Sequence, residues 1–219
     1  MAETTYKSSL PSSTETSFSS MMTDGFGIVT VMNAKVYAGV DQDTVKDQTP
    51  YEILAGLTSP LCTIDTLKVA NVTMEGPNKT VTGGRYSNPL IKFGKSARLE
   101  MQDALGRIDA IQALGGGISE WTGEATAKAY TGLHFGENFE GPKTIVGETF
   151  FIDQKTGKQI WVNIIFYQFL PDSIFNLTQD AEGDATVFDM NGDLLTTEVQ
   201  IGGETVGVFY SIVEKPTKA

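Results

Sequence analysis

Several groups of residues in this sequence have types and spacings that chemistry could use. Gly94-Lys95-Ser96 matches the end of a phosphate-binding loop. Such a loop needs a glycine five residues before Gly94 and a helix directly after Ser96, so that backbone amides and the helix terminus cradle the phosphate. The upstream position is Pro89 and a strand-like pattern follows, so nucleotide binding is not expected. Asp189-Met190-Asn191-Gly192-Asp193 alternates oxygen ligands as a calcium loop does. Its sixth position is Leu194 and its twelfth Gln200, where glycine and glutamate are needed. Asn191-Gly192 reads instead as a turn. Asp180, Glu182 and Asp184 could share acid–base work if burial split their pKa values, but around Gly183 they read as a solvated turn.

His134 is the only histidine and Cys62 the only cysteine. Any Ser-His-Asp triad must use His134, and no serine stands in a nucleophile-elbow context. A zinc site would need further ligands. Cys62 lies in the apolar run Leu61-Cys62-Thr63-Ile64 with Asp65 nearby and no base to activate it, so it reads as a buried structural thiol. The expectation is a protein that is not an enzyme, with no catalytic residue, no metal and no cofactor.

Positioning these residues requires a fold, and 219 residues suffice for one sizeable core. One cysteine excludes an intramolecular disulfide framework. The polar N-terminus lacks the features of a secretory signal and no run approaches a membrane span, so assembly in a cytoplasm is expected. Net charge is -11, and it is uneven. Residues 1–100 hold ten acids and nine bases; residues 101–219 hold seventeen and seven. That excess argues against a nucleic-acid-binding surface, which needs bases to displace counterions. It fits a solvated surface, or one that lies near DNA without holding it.

Residues 1–26 read as a flexible arm, with eleven Ser or Thr among the first twenty and Tyr6, Leu10 and Phe18 as isolated anchors. Residues 27–219 read as one mainly β domain. Ile28–Met32, Ala34–Ala38, Cys62–Met74, Leu90–Phe93, Ala97–Gln102, Thr144–Ile152, Lys158–Leu170, Ser173–Gln179, Ala185–Phe188 and Thr205–Val213 are the strand candidates. Ile160–Leu170 is apolar on both faces and should be central. Asp41–Pro50 reads as a polar loop, and Pro50–Gly56 as a helical turn. The stretch Gly83–Gly117 is the one place where strand period gives way to helix. Leu105, Ile108, Ile111 and Leu114 form its stripe, with Asp103 as N-cap and Gly115 after its end. This helix must cover a sheet or another subunit. Gly115–Gly147 reads as a long irregular loop with eight glycines, ordered by function or by a partner. Trp121, Tyr130 and Phe135 lie in it. Turns every 8–12 residues, Gly202-Gly203 among them, point to a β-sandwich or partly rolled barrel with one short flanking helix.

Three stretches together resemble the major tail (tail tube) proteins of long-tailed bacteriophages. They are Gly83-Gly84-Arg85 to Lys95, Leu99-Glu100-Met101-Gln102-Asp103-Ala104-Leu105-Gly106, and Phe175-Asn176-Leu177-Thr178-Gln179-Asp180-Ala181-Glu182-Gly183-Asp184 followed by Val187-Phe188-Asp189. The resemblance spans roughly residues 27–215. It implies a β domain whose copies form hexameric rings that stack into a tube, with DNA crossing the lumen during ejection. It implies a virion protein, assembled in the host cytoplasm, whose partners are itself and other tail proteins: the tape measure, the tail terminator and the distal tail or baseplate proteins. Tube subunits of contractile tails and tail-like injection machines are built alike. The helix stripe and the loop with Trp121, Tyr130 and Phe135 are the candidate assembly elements. From a different class, the sequence also allows a carbohydrate- or peptide-binding β-sandwich with those three aromatics as its platform.

Overall fold

The computed structural model describes residues 26–28, 33–65, 67–76, 78–80, 90–92, 95–103, 108–123, 129–134, 141–153, 157, 159–173 and 188–215. In chain order these form β1 (Phe26–Ile28), β2 (Asn33–Ala38), α1 (Gln42–Val45), α2 (Pro50–Gly56), β3 (Cys62–Ile64), β4 (Leu67–Glu75), β5 (Asn78–Thr80), β6 (Leu90–Lys92) and β7 (Ser96–Asp103). There follow α3 (Ile108–Gly115), β8 (Ile118–Thr122), β9 (Ala129–His134), β10 (Lys143–Asp153), β11 (Gln159–Ser173), β12 (Phe188–Leu195), β13 (Thr197–Ile201), β14 (Glu204–Val208) and β15 (Tyr210–Glu214). The protein is mainly β and antiparallel.

Its spine is the hairpin β10–β11, paired from Ile152 with Gln159 to Lys143 with Phe169. Lys143–Gly147 of β10 and Val162–Phe169 of β11 are buried or half-buried on both faces, as in a strand covered on both sides. The sheet runs β3-β2-β10-β11-β12-β7-β4, with β1 beside the far half of β10 and β15 beside the first half of β11. Laid flat, β3 and β7 would sit about 24 Å apart at the usual strand spacing. Cys62 and Ile64 of β3 nevertheless share one buried cluster with Leu99 and Met101 of β7, Met190 of β12 and Ala110, Ala113 and Leu114 of α3. The sheet therefore rolls around α3. Among the described residues it stays open, because β3 and β4 end it without pairing to each other.

A β-bulge in β11 sets the core. Ile145 opposes Phe166 while Lys143 opposes Phe169, so β11 has one residue more than β10 between these pairs. The extra residue puts Phe166 and Phe169, three apart, into the same cluster. It also takes the Tyr167 carbonyl off the regular ladder. The fully buried Thr144 hydroxyl donates to that carbonyl at 2.8 Å and accepts the Val40 amide at 3.1 Å. Removing such a hydroxyl would leave two buried groups unpaired, about 1–3 kcal/mol each.

On the opposite face Ile165 and Tyr167 pack with Val146, Val199 and Val213 under Val45 of α1 and Ile53 of α2. The Tyr167 phenol donates to Ser211 Oγ at 2.8 Å, and burial pushes its pKa up to about 12. Burial raises Tyr37 and Tyr51 in the same direction. A phenol neutral in the fold and ionised at about pH 10 when unfolded contributes stability that is complete below pH 10 and lost as pH rises towards 12. Denaturant titrations should show stability falling by up to about 2.7 kcal/mol from this group across that window. In Tyr167→Phe the fall should be shallower by that amount.

Several sequence expectations hold. Ala97, Leu99 and Met101 are buried between β12 and β4, with Glu100 exposed. Cys62 is buried. The hairpin β13–β14 turns at Gly202 and Gly203, both at positive φ (62° and 89°). Helix α2 starts at Pro50 behind a Thr49–Glu52 capping box and ends at Gly56.

Others are corrected. Asp41–Pro50 is not only loop: Asp41 caps α1 by accepting the Asp43 amide, so the described residues hold three helices where one flanking helix and one helical turn were expected. At Asp103 β7 still has ladder partners on both sides, namely Phe188 and Leu67, and its expected role as N-cap falls on residues 104–107, outside the described ones. Steps of three residues rotate backwards by about 60° each, so the stripe drifts off one face. The buried face of α3 is Ala110, Ala113 and Leu114, while Ile108 is 39% exposed and Ile111 half-buried. Gly116, at φ 67°, follows the helix in the left-handed conformation instead of Gly115. The expected irregular loop 115–147 contains the hairpin β8–β9 and the start of β10, because Ile118–Thr122 and Ala129–His134 pair locally. Thr205–Val213 divides at Phe209 into β14 and β15, the second leaving its hairpin to pair with β11. Asn191-Gly192 is no turn but lies within β12. The 1–25 arm, Gly83–Arg85, Leu105, Phe135, Phe175–Val187 with its three acids, and the strand candidates 174–179 and 185–187 lie outside the described residues.

Candidate assembly surfaces

Among the described residues strand β4 ends the sheet, paired on one side with β7 at eight positions. Its Ala70, Val72 and Met74 oppose Met101, Leu99 and Ala97. Burial drops across that pair: Leu99 is fully buried, whereas Val72 is 37% and Met74 45% exposed. A long edge with half-covered apolar side chains is a template for pairing with another strand.

The other face of the same strands is polar. Period-2 alternation places Asn71, Thr73 and Glu75 beside Glu100, Arg98 and Ser96, and these beside Asn191 and Asp193. Asp189 Oδ1 accepts from Gln102 Nε2 at 2.9 Å. Arg98 Nε lies 3.7 Å from Glu100 and its Nη1 3.5 Å from Asp193. These exposed pairs add little stability. A shallow depression of about 260 Å³ lies here, bordered by Glu75, Glu100 and Asp193 around the single Arg98. The calcium-like spacing of Asp189, Asn191 and Asp193 is thus flattened into a strand rather than folded round an ion. Among the described residues no group of three His, Cys, Asp or Glu is placed to hold a metal.

The hairpin β8–β9 forms a two-stranded sheet of its own. Such a pair is marginal without a further layer. Ile118 is 67% and Trp121 50% exposed. Trp121 Nε1 donates to Ser119 Oγ at 2.7 Å, and Trp121 stands opposite Tyr130 in the ladder. His134 Nε2 lies 3.2 Å from Glu120 Oε2 at an exposed position, while Cys62 is buried in the core, so the two do not form a nucleophile–base pair.

No family model matches the chain, and no curated protein matches it. Of the candidate helix residues, Leu114 is in the chain's own core, Ile111 is half-buried and Ile108 faces solvent. Trp121 and Tyr130 are brought together. Val72, Met74 and Ile118 were missed. The alternation Ala70, Val72, Met74 is visible in the sequence, but that β4 is an edge is not. Among the described residues no helix is long and apolar enough to cross a membrane.

Proposed function

We propose that this protein is a structural subunit that assembles with copies of itself into hexameric rings, stacked into a phage tail tube through which DNA is ejected. The observation that carries this reading is the nine-residue strand β4, which among the described residues has a neighbour on one side only and carries exposed Val72 and Met74. An edge of this kind either carries blocking devices or finds a partner. Ring closure pairs it without leaving a free end.

On this reading the polar face of β4, β7 and β12 lines the bore. Glu75, Glu100, Asp189 and Asp193 outnumber Arg98 there, so phosphates are repelled and DNA slides without sticking. The subunit works without catalysis, in the virion, in contact with the other tail proteins. The carbohydrate- or peptide-binding reading draws on exposed Trp121 opposite Tyr130. The same exposure is expected of an arm that docks on a neighbouring subunit.

Negative-stain microscopy of the concentrated protein tests the reading. Hexameric rings or tubes are expected, and stable monomers at every concentration overturn it.

A further inference from the structure

Oxidants reach the sulfur atoms of a protein according to their exposure. The described residues hold four such atoms, in Cys62, Met74, Met101 and Met190. Three of them are sealed in the core: Cys62 is 5%, Met101 2% and Met190 7% exposed. Met74 is 45% exposed. The contrast follows from the sheet order. Met101 lies on β7, with Met190 of β12 opposite it on one side and Ala70 of β4 on the other. Met74 lies on β4, which among the described residues has β7 as its one neighbour. Its ladder partner there is Ala97, whose single methyl group is too short to cover a thioether. The accessible sulfur therefore stands on the strand edge through which copies are proposed to pair.

We propose that Met74 is a site of reversible oxidation, and that its sulfoxide blocks the pairing of β4 with a second copy. The proposal rests on the self-assembly reading above and adds its regulation. The co-reactant is a two-electron oxidant of the peroxide class. The sulfur lone pair attacks one peroxide oxygen, the O–O bond breaks and an S–O bond forms. The departing hydroxide takes the proton from the new S–OH group and leaves as water. Sulfur is oxidised by two electrons and the peroxide is reduced by two. Reversal takes two thiols of a methionine sulfoxide reductase, which become a disulfide while the oxygen leaves as water.

In the free subunit the sulfoxide oxygen reaches water, so the fold tolerates it. In a paired edge it is enclosed beside Val72, two residues away on the same face, while the backbone N–H groups of the strand are committed to the ladder. A strong acceptor left without a donor opposes association. The thioether is apolar and adapts its shape to the contact, so the reduced form carries no such penalty.

Hydrogen peroxide acting on the full-length protein tests this. Peptide mapping should show the Met74 peptide gaining one oxygen well before those of Met101 and Met190. Sedimentation velocity should then show the concentration for half-assembly raised by about tenfold or more, with a parental circular-dichroism spectrum. Methionine sulfoxide reductases with a dithiol should return it to the untreated value. Met74→Leu, apolar and of similar size, should assemble like the untreated parent before and after peroxide. Methionines outside the described residues are common to both proteins, so the difference isolates Met74. Met74→Gln, polar as the sulfoxide is, should show the raised threshold without any oxidant. A parent oxidised at Met74 that assembles like the untreated protein overturns the proposal and leaves the tube reading standing. So does a Met74→Leu variant that loses assembly on peroxide as the parent does, or a Met74→Gln variant that assembles normally. Untreated protein that never assembles overturns both.

Discussion

Val72→Lys combined with Met74→Lys is expected to leave a folded protein that forms neither rings nor tubes. Both side chains lie on the core-facing side of β4, opposite Leu99 and Ala97, and both are more than a third exposed. Lysine stems can cover the same apolar surface while the ammonium reaches water, so the fold should lose about 1–2 kcal/mol. That is a tolerable fraction of an ordinary stability of about 5–15 kcal/mol. Pairing β4 with a second copy is different. It would enclose the two ammonium groups without partners, at several kcal/mol each. Association should weaken by at least about a thousandfold. Sedimentation velocity reads the outcome directly: monomers with a parental circular-dichroism spectrum are expected. Tubes formed at parental concentration would show that β4 is not the ring contact.

Gly192→Ala is expected to damage the fold itself. Gly192 lies in β12 between Pro171 of β11 and Leu99 of β7. A Cβ built there runs into the Leu170 carbonyl oxygen and the ring of Phe169. Phe169 is fully buried and placed by the bulge, and the carbonyl is backbone, so neither can turn aside. The methyl group must push β11 and β12 apart at the bulge between Pro171 and Ser173. A loss of at least about 3 kcal/mol follows, which lowers the melting temperature by about 6–12 °C for a domain of this size. Gly207→Ala is the control. Its Cβ meets nothing within 4 Å, so its effect should stay within about 0.5 kcal/mol. Equal melting temperatures for Gly192→Ala and Gly207→Ala would remove the steric account of β12.

Local signals were legible wherever a few neighbouring residues decide. The helical turn with Pro50 at its start and Gly56 at its end needs only seven residues. Gly202-Gly203 supplies the two positive φ angles of a tight hairpin by itself. The unbroken apolar run Ile160–Leu170 announced a strand covered on both faces, and β11 is that strand. The alternation in Ala97–Gln102 showed which side of β7 would be buried. From such pieces the mainly β, sheet-rich class of the chain, the buried thiol of Cys62 and the uneven charge follow without coordinates.

What only the tertiary structure decided is which strand stands beside which. Arg98 meets Asp193 across 95 positions, and that pairing makes β7 central and leaves β4 at the edge. No neighbour of Val72 in the sequence reports this. The Gly192 turn was misread for the same reason: Asn-Gly is a local cue, and here ladder partners from distant strands outweighed it. The candidate assembly residues divide in the same way. Trp121 could be named from its type, but its 50% exposure on a detached hairpin, and the open side of β4, arise from long-range packing that a period or a turn motif does not encode.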